Sequence, residues 1–258
     1  MEITIDELLK GKATRIKKNE YLKTEAYVTP FLDKMSKLTN DFKIQVKLPD
    51  QVTKTKDGEI DMDDITYNRV WIQAVMPEEY AFDNHQEVVG MVYGIDTRKP
   101  VVKIYRGGLN MACTNLCVFS PSFLNVQDLE PEKTINFSSV DTLMRQTSDL
   151  KVWLEKLHNT PFEINPTNVN ESMGKWINNC WDTAWNKGYG TVKVSDSLVL
   201  GASKLLFRDE ESPYYVGKDT TTDMFNVYNA FTQMITNDNK DIMNKFEKTY
   251  LVKDILSI

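Results

Sequence analysis

One stretch of this chain leaves little freedom in what it can fold into. Across residues 42–48, Phe42, Ile44, Val46 and Leu48 alternate with Lys43, Gln45 and Lys47. A period of two puts all four apolar side chains on one face of a strand, whereas a helix would scatter them around its axis. Pro49 ends the run, because proline has no N–H for a strand ladder. Three more strand-like runs follow: residues 67–76 (YNRVWIQAVM), 87–95 (EVVGMVYGI) and 101–105 (VVKIY). They are separated by Pro77-Glu78-Glu79 and by Asp96-Thr97-Arg98-Lys99-Pro100. Together these runs predict a mostly antiparallel sheet.

The pattern changes on either side. Thr29-Pro30, followed by Phe31, Leu32, Met35 and Leu38, reads as an N-cap, a proline in the first helical position and one apolar helical face. Residues 50–64 are polar with an Asp57-Gly58 turn signal, which predicts a loop or hairpin tip. In the second half, Val140, Leu143, Met144, Thr147, Leu150, Leu154 and Leu157 recur at steps of three and four. Met173, Trp176, Ile177, Cys180, Trp181 and Ala184 do the same, and Gly188 is placed to stop that helix. Further helices are expected over residues 221–236 and 241–256. Strands first and helices afterwards predict an α+β fold rather than a wound βαβ sheet. The expected arrangement is a single domain over residues 1–258: an N-terminal helical segment at 1–40, a sheet at 41–125 and a helical layer at 139–258 packed on the sheet. The weakest joint is the polar stretch 159–170.

Charge restricts the functional classes. With 31 Lys plus Arg against 37 Asp plus Glu, the net charge is −6, so any attraction to a phosphate backbone must come from a local cluster. Cys113, Cys117 and Cys180 are an odd count with no disulfide framework, which predicts reduced thiols. Asp6 and Glu7 beside a short apolar stretch do not have the order of a secretory signal, and no apolar run approaches the roughly 18 residues that a membrane span needs. An intracellular, soluble protein without a membrane partner is the expectation.

Motifs for common chemistries are missing from the sequence. A zinc site would have to come from Cys113, Cys117, Cys180, His85 and His158, and Cys113-x-x-x-Cys117 has weak ligand spacing. Two histidines also restrict general-base catalysis, and His158 reads as a surface residue favoured by a helix C-terminus. Neither 57–64 nor 237–241 has the order of a calcium loop. Phosphate-cradling, dinucleotide and nucleophile-elbow glycine motifs do not occur. No cofactor or metal is expected, and a non-enzymatic reading is favoured.

Two basic segments stand out. Arg98, Lys99, Lys103, Tyr105 and Arg106 put cations and an aromatic ring within nine positions. On a strand Lys103 and Tyr105 share a face, with Arg98-Lys99 in the preceding turn. Cations beside a stacking surface are what a sequence-tolerant single-strand binder uses. The alternative is a solvated strand end balanced by acidic loops. A second cluster, Lys10, Lys12, Arg15, Lys17 and Lys18 with Tyr21, either extends such a surface or forms a basic arm.

Three segments in order carry a family resemblance: residues 69–78 (RVWIQAVMPE), 93–96 (YGID) leading into 108–115 (GLNMACTN), and 227–232 (VYNAFT). They resemble the phage and plasmid-like family catalogued as domain of unknown function 932. That family has a strand running W-x-x-x-x-x-P, a segment like S-H-D-G leading to R-x-V-C-x-N-G, and a helix with Y-N-A-x-T. Trp71, Asp96, Cys113, Asn115, Tyr228, Asn229 and Thr232 are the matching positions. Ile95 and Thr97 replace the usual His and Gly, Asn110 stands in place of an Arg, and Leu116 replaces a Gly. The resemblance implies a bacteriophage or mobile-element protein in the cytoplasm of a bacterial host. The motif residues read as structural: Cys113 and Asn115 closing a strand, and Asn229 reaching from its helix to that turn.

The function expected from these readings is binding of nucleic acid, single-stranded DNA first, in recombination or replication, with homo-oligomerisation on the strand open. The alternative is an acidic anti-defence protein that inhibits a host protein by presenting Asp57, Glu59, Asp61, Asp63 and Asp64 as phosphate mimics. A virion component comes third.

Overall fold

The computed structural model describes residues 3–17, 20–48, 67–96, 99–110, 116–117, 124–131, 134–145, 147–163, 195–216 and 221–237, with a few positions between 243 and 256. The protein is α+β, with an antiparallel sheet in the N-terminal half and helices mostly in the C-terminal half. Two compact units divide it. One takes in residues 1–108, 121–147 and 239–243, the other 109–120, 148–238 and 244–258.

The first unit opens with helix α1 (Ile5–Lys10), closed at its N-terminus by a reciprocal pair: Thr4 Oγ1 accepts from the Glu7 N–H, and the Glu7 carboxylate accepts from the Thr4 N–H at 2.7 Å. That pair satisfies two of the donors a helix start leaves open. Strands β1 (Lys12–Lys17) and β2 (Glu20–Lys23) form a separate antiparallel ribbon, followed by α2 (Glu25–Ser36). The main sheet contains β3 (Lys43–Lys47), β4 (Arg69–Val75), β5 (His85–Asp96) and β6 (Lys99–Asn110) in that order; the short β7 (Leu116–Cys117) falls among the residues of the second unit, and β8 (Leu124–Asp128) also pairs with β6. Helix α3 (Ser138–Met144) comes after β8.

Register assigns the faces. Val46 pairs with Ile72 and Ile72 with Met91, so these side chains share one side of the sheet with Val70, Ala74, Val89 and Tyr93. All seven are buried. On this side α2 brings Tyr27, whose ring lies 6.3 Å from that of Tyr93, and Phe31, 5.9 Å from Phe137. Burial of each such side chain stabilises by about 2 kcal/mol. The same burial explains why α2 starts at Glu25 and contains Pro30, instead of starting at Thr29-Pro30. An internal proline costs about 3 kcal/mol, and Tyr27 and Val28, buried upstream of it, offset that amount.

Three further expectations are corrected. The final strand of the predicted set does not end at Tyr105 but runs to Asn110, because Arg106 is neutralised within the sheet and the glycines after it remain extended. The helical pattern of 140–157 is broken into α3 and α4 (Thr147–His158). The helix expected from Thr221 begins at Met224, the three residues before it being a strand. Residues 50–64 and 173–184 lie outside the described residues, as does most of 241–256.

In the second unit, β9 (Pro161–Glu163) pairs with β10 (Thr221–Asp223), and α5 (Asp196–Phe207) packs on α6 (Met224–Asn237). A Cβ on Gly201 of α5 would sit 2.3 Å from Met234 Cε of α6, so glycine permits this close approach. Leu198, Ala202, Leu206, Val227, Tyr228, Phe231 and Ile235 are buried in this unit. Helix α5 has no counterpart among the helices that the apolar spacing predicts. Among the described residues, no helix is long and apolar enough to cross a membrane.

Candidate nucleic-acid interface

The first basic segment is not a surface. Lys103 is 1% exposed, and its Nζ donates to the Met243 carbonyl at 2.7 Å. Tyr105 does share a face with Lys103, but it is fully buried. Its hydroxyl accepts from Trp71 Nε1 and donates to Gln73 Oε1 at 3.0 Å, and Gln73 Nε2 donates in turn to Gln45 Oε1 at 2.9 Å. Burial pushes the Tyr105 phenol well above its ordinary range. Gly90 on β5 provides the room: a Cβ there would lie 2.3 Å from the Tyr105 hydroxyl oxygen.

Arg106 points to the other face and is also buried. Its Nε and Nη2 donate to the two Glu87 carboxylate oxygens at 2.8 and 2.6 Å. Burial pushes the Glu87 carboxyl up, while the guanidinium pulls it back. Of the five residues expected to contact nucleic acid, Lys99 is exposed and Arg98 lies outside the described residues. Lys103, Tyr105 and Arg106 are corrected to interior positions. The physical reason is that both faces of β6 are covered: Lys103 and Tyr105 meet the Met243 carbonyl, Trp71 and Gln73 on one face and Arg106 meets Glu87 on the other, so its polar side chains find protein partners in place of water.

The second cluster has the opposite fate. Lys12 pairs with Lys23 and Arg15 with Tyr21 in the β1–β2 ribbon. Three residues on β1 match two on β2 across that interval, the signature of a β-bulge. In a regular strand Lys12 and Arg15, an odd number apart, would point to opposite sides. The extra residue resets the alternation and puts Lys12 and Arg15 on one face with Tyr21 and Lys23. Exposure agrees: Lys12, Arg15, Tyr21 and Lys23 are exposed, while Ala13, Thr14 and Leu22 are buried. Tyr21, at 42%, is an exposed aromatic ring, and Lys12 Nζ lies 6.0 Å from its centroid. Lys10, at the end of α1, is exposed beside this ribbon. Glu20, at the turn end, is the one carboxylate in the two strands. Sequence reasoning identified these cations apart from Lys23, and missed the ribbon because the bulge breaks the period of two.

The remaining candidates are placed as follows. Trp71 is buried, and Asp96 is the last residue of β5. Cys113 and Asn115 lie outside the described residues. In α6, Tyr228 meets Trp153 edge to face at 5.0 Å, Asn229 Nδ2 donates to the Phe225 carbonyl at 3.0 Å, and Thr232 Oγ1 donates to the Asn229 carbonyl at 3.0 Å. These are interior contacts within one helix and its neighbour. His158 ends α4 with its ring 4.0 Å from that of Phe225 and its Nδ1 3.2 Å from Asp223 Oδ2. His85 is buried, with Nδ1 2.8 Å from the Asp83 carbonyl. Among the described residues, no three His, Cys, Asp or Glu side chains gather as a metal site would require. Cys180 and the acidic residues Asp57, Glu59, Asp61, Asp63 and Asp64 lie outside the described residues.

Comparison with protein-family models, with curated proteins and with solved structures finds no match to this chain.

Proposed function

We propose that this protein binds single-stranded DNA, in the recombination or replication of a bacteriophage or mobile element, through the exposed face of the β1–β2 ribbon. The observation that carries this reading is the common face of Lys12, Arg15, Tyr21 and Lys23. Cations spaced along a backbone hold phosphates, and an exposed ring stacks a base whatever its identity. A ring held between cations serves a splayed, unstacked strand better than a duplex, whose bases are already paired and stacked. The motif resemblance supplies the genetic setting.

The test is fluorescence anisotropy of a labelled oligothymidylate titrated with the full chain at about 50 and 200 mM salt. Wild-type protein should bind at low salt and weaken steeply as salt rises, about 0.7 in log–log slope for each phosphate engaged. Tyr21→Ala should lose about 1–3 kcal/mol of binding, the worth of one stacked base, at an unchanged salt slope. Arg15→Gln with Lys23→Gln should flatten the slope. Absence of wild-type binding at low salt would overturn the reading.

A further inference from the structure

We infer that the bound strand does not end at the ribbon but continues over the outer part of the main sheet, along Arg69, Lys47 and Lys43. This inference rests on the nucleic-acid reading above and extends its site. On β3, Lys43, Gln45 and Lys47 occupy alternate positions and therefore one face. Register identifies that face, since Lys47 pairs with Trp71 and Gln45 with Gln73. The Gln73 to Gln45 side-chain hydrogen bond runs across it, and Lys47 Nζ stands 5.0 Å from the centroid of the Trp71 ring. Arg69, two residues before Trp71 on β4, faces the same way. It pairs with Gly94 on β5, where a Cβ would come within 2.9 Å of Arg69 Cγ, so its stem crosses the sheet over that glycine.

Lys43 is exposed, and Lys47 and Arg69 are half-buried with their stems on the sheet. From Lys43 to Lys47 is about 13 Å along the strand, and Arg69 lies one strand over and about 7 Å beyond the level of Trp71. Three cations of one sign therefore follow each other along a single face. Among the described residues β3 ends the sheet order, and lysines on such a strand also discourage pairing with another sheet. That account does not reach Arg69, which belongs to an inner strand.

The two basic regions meet at the start of β4. The Tyr67 N–H donates to the Lys12 carbonyl at 2.7 Å, and Thr14 Oγ1 donates to the Tyr67 carbonyl at 3.4 Å. Tyr67 is two residues from Arg69, so β1 crosses the chain about 7 Å from the first cation of the sheet row. Both regions are within one compact unit. A polyanion seated at Tyr21 can continue from the ribbon onto the positive charge of the sheet row, because β1 is hydrogen-bonded to the start of β4. The partner that fits is an extended phosphate backbone, with the stacking contact confined to the ribbon end.

Oligothymidylates of two lengths, about 6 and about 20 nucleotides, separate the two ideas. They are titrated against the full chain, against Lys43→Gln/Lys47→Gln/Arg69→Gln, and against Tyr21→Ala. Wild type should bind the long strand more tightly. The triple variant should bind the short strand as wild type does, while on the long strand its affinity falls on the order of tenfold at low salt and its salt slope flattens by about 2, three phosphates at about 0.7 each. Tyr21→Ala should weaken both lengths. Equal affinity and slope of wild type and triple variant on the long strand would overturn the extended path and leave the ribbon site standing. No wild-type binding to either length would overturn both. If circular dichroism shows that the triple variant is unfolded, Lys43→Gln/Lys47→Gln takes its place, with an expected flattening of about 1.4.

Discussion

The β1–β2 ribbon and strand β6 carry nearly the same residue types and use them in opposite ways. Lys12, Arg15 and Tyr21 are exposed on a two-stranded ribbon. Lys103, Tyr105 and Arg106 are buried on the two faces of β6, and each has a protein partner: a backbone carbonyl, a Trp–Gln relay and a carboxylate. A cation beside a tyrosine is therefore no evidence of a binding surface in itself. What decides is whether other parts of the chain pack over the face to which the side chain points, because a buried charge must find a counter-charge or acceptors inside the protein.

That contrast can be broken by experiment. The largest effect is expected at Arg106. Arg106→Met leaves Glu87 buried without its guanidinium and should cost about 3–5 kcal/mol, read as a lower urea midpoint at unchanged slope. Adding Glu87→Leu should recover most of that loss, since an apolar pair avoids the desolvation penalty. A single Arg106→Met variant as stable as wild type would mean that the guanidinium is not held in the interior, and the contrast between the regions would collapse. A middle effect is expected at Tyr105→Phe, which leaves Trp71 Nε1 without its acceptor and Gln73 Oε1 without a donor. Loss of about 1–3 kcal/mol should accompany it, with a change in tryptophan emission from Trp71. The smallest effect belongs to the ribbon, where Lys12→Gln or Arg15→Gln should change stability by no more than about 0.5 kcal/mol. A larger loss there would assign those cations a structural role and weaken the case for a binding face.

The fold was legible wherever one periodicity held without interruption. The alternation of residues 42–48 appears as β3, and the runs from Tyr67 and Glu87 appear within β4 and β5. Reading failed where a long-range contact replaced a local rule. Pro30 looks like a helix start until Tyr27 and Val28 are seen against the sheet. Arg106 looks like a strand end until Glu87 is placed beside it. Of the candidate site, the N-terminal cations could be listed in advance, but their shared face could not, because it depends on one inserted residue between Lys12 and Arg15.

By itself, then, the sequence determined the class of the protein: strands before helices, an apolar face for each, and cations in two clusters of an otherwise acidic chain. Those properties depend on spacing along the chain and on residue chemistry, which no partner element changes. Tertiary structure alone decided which cluster meets water. Solvent exposure belongs to the packed arrangement: residues distant in sequence, Trp71, Gln73 and Met243 among them, meet the side chains of β6, while the outer face of the ribbon is exposed.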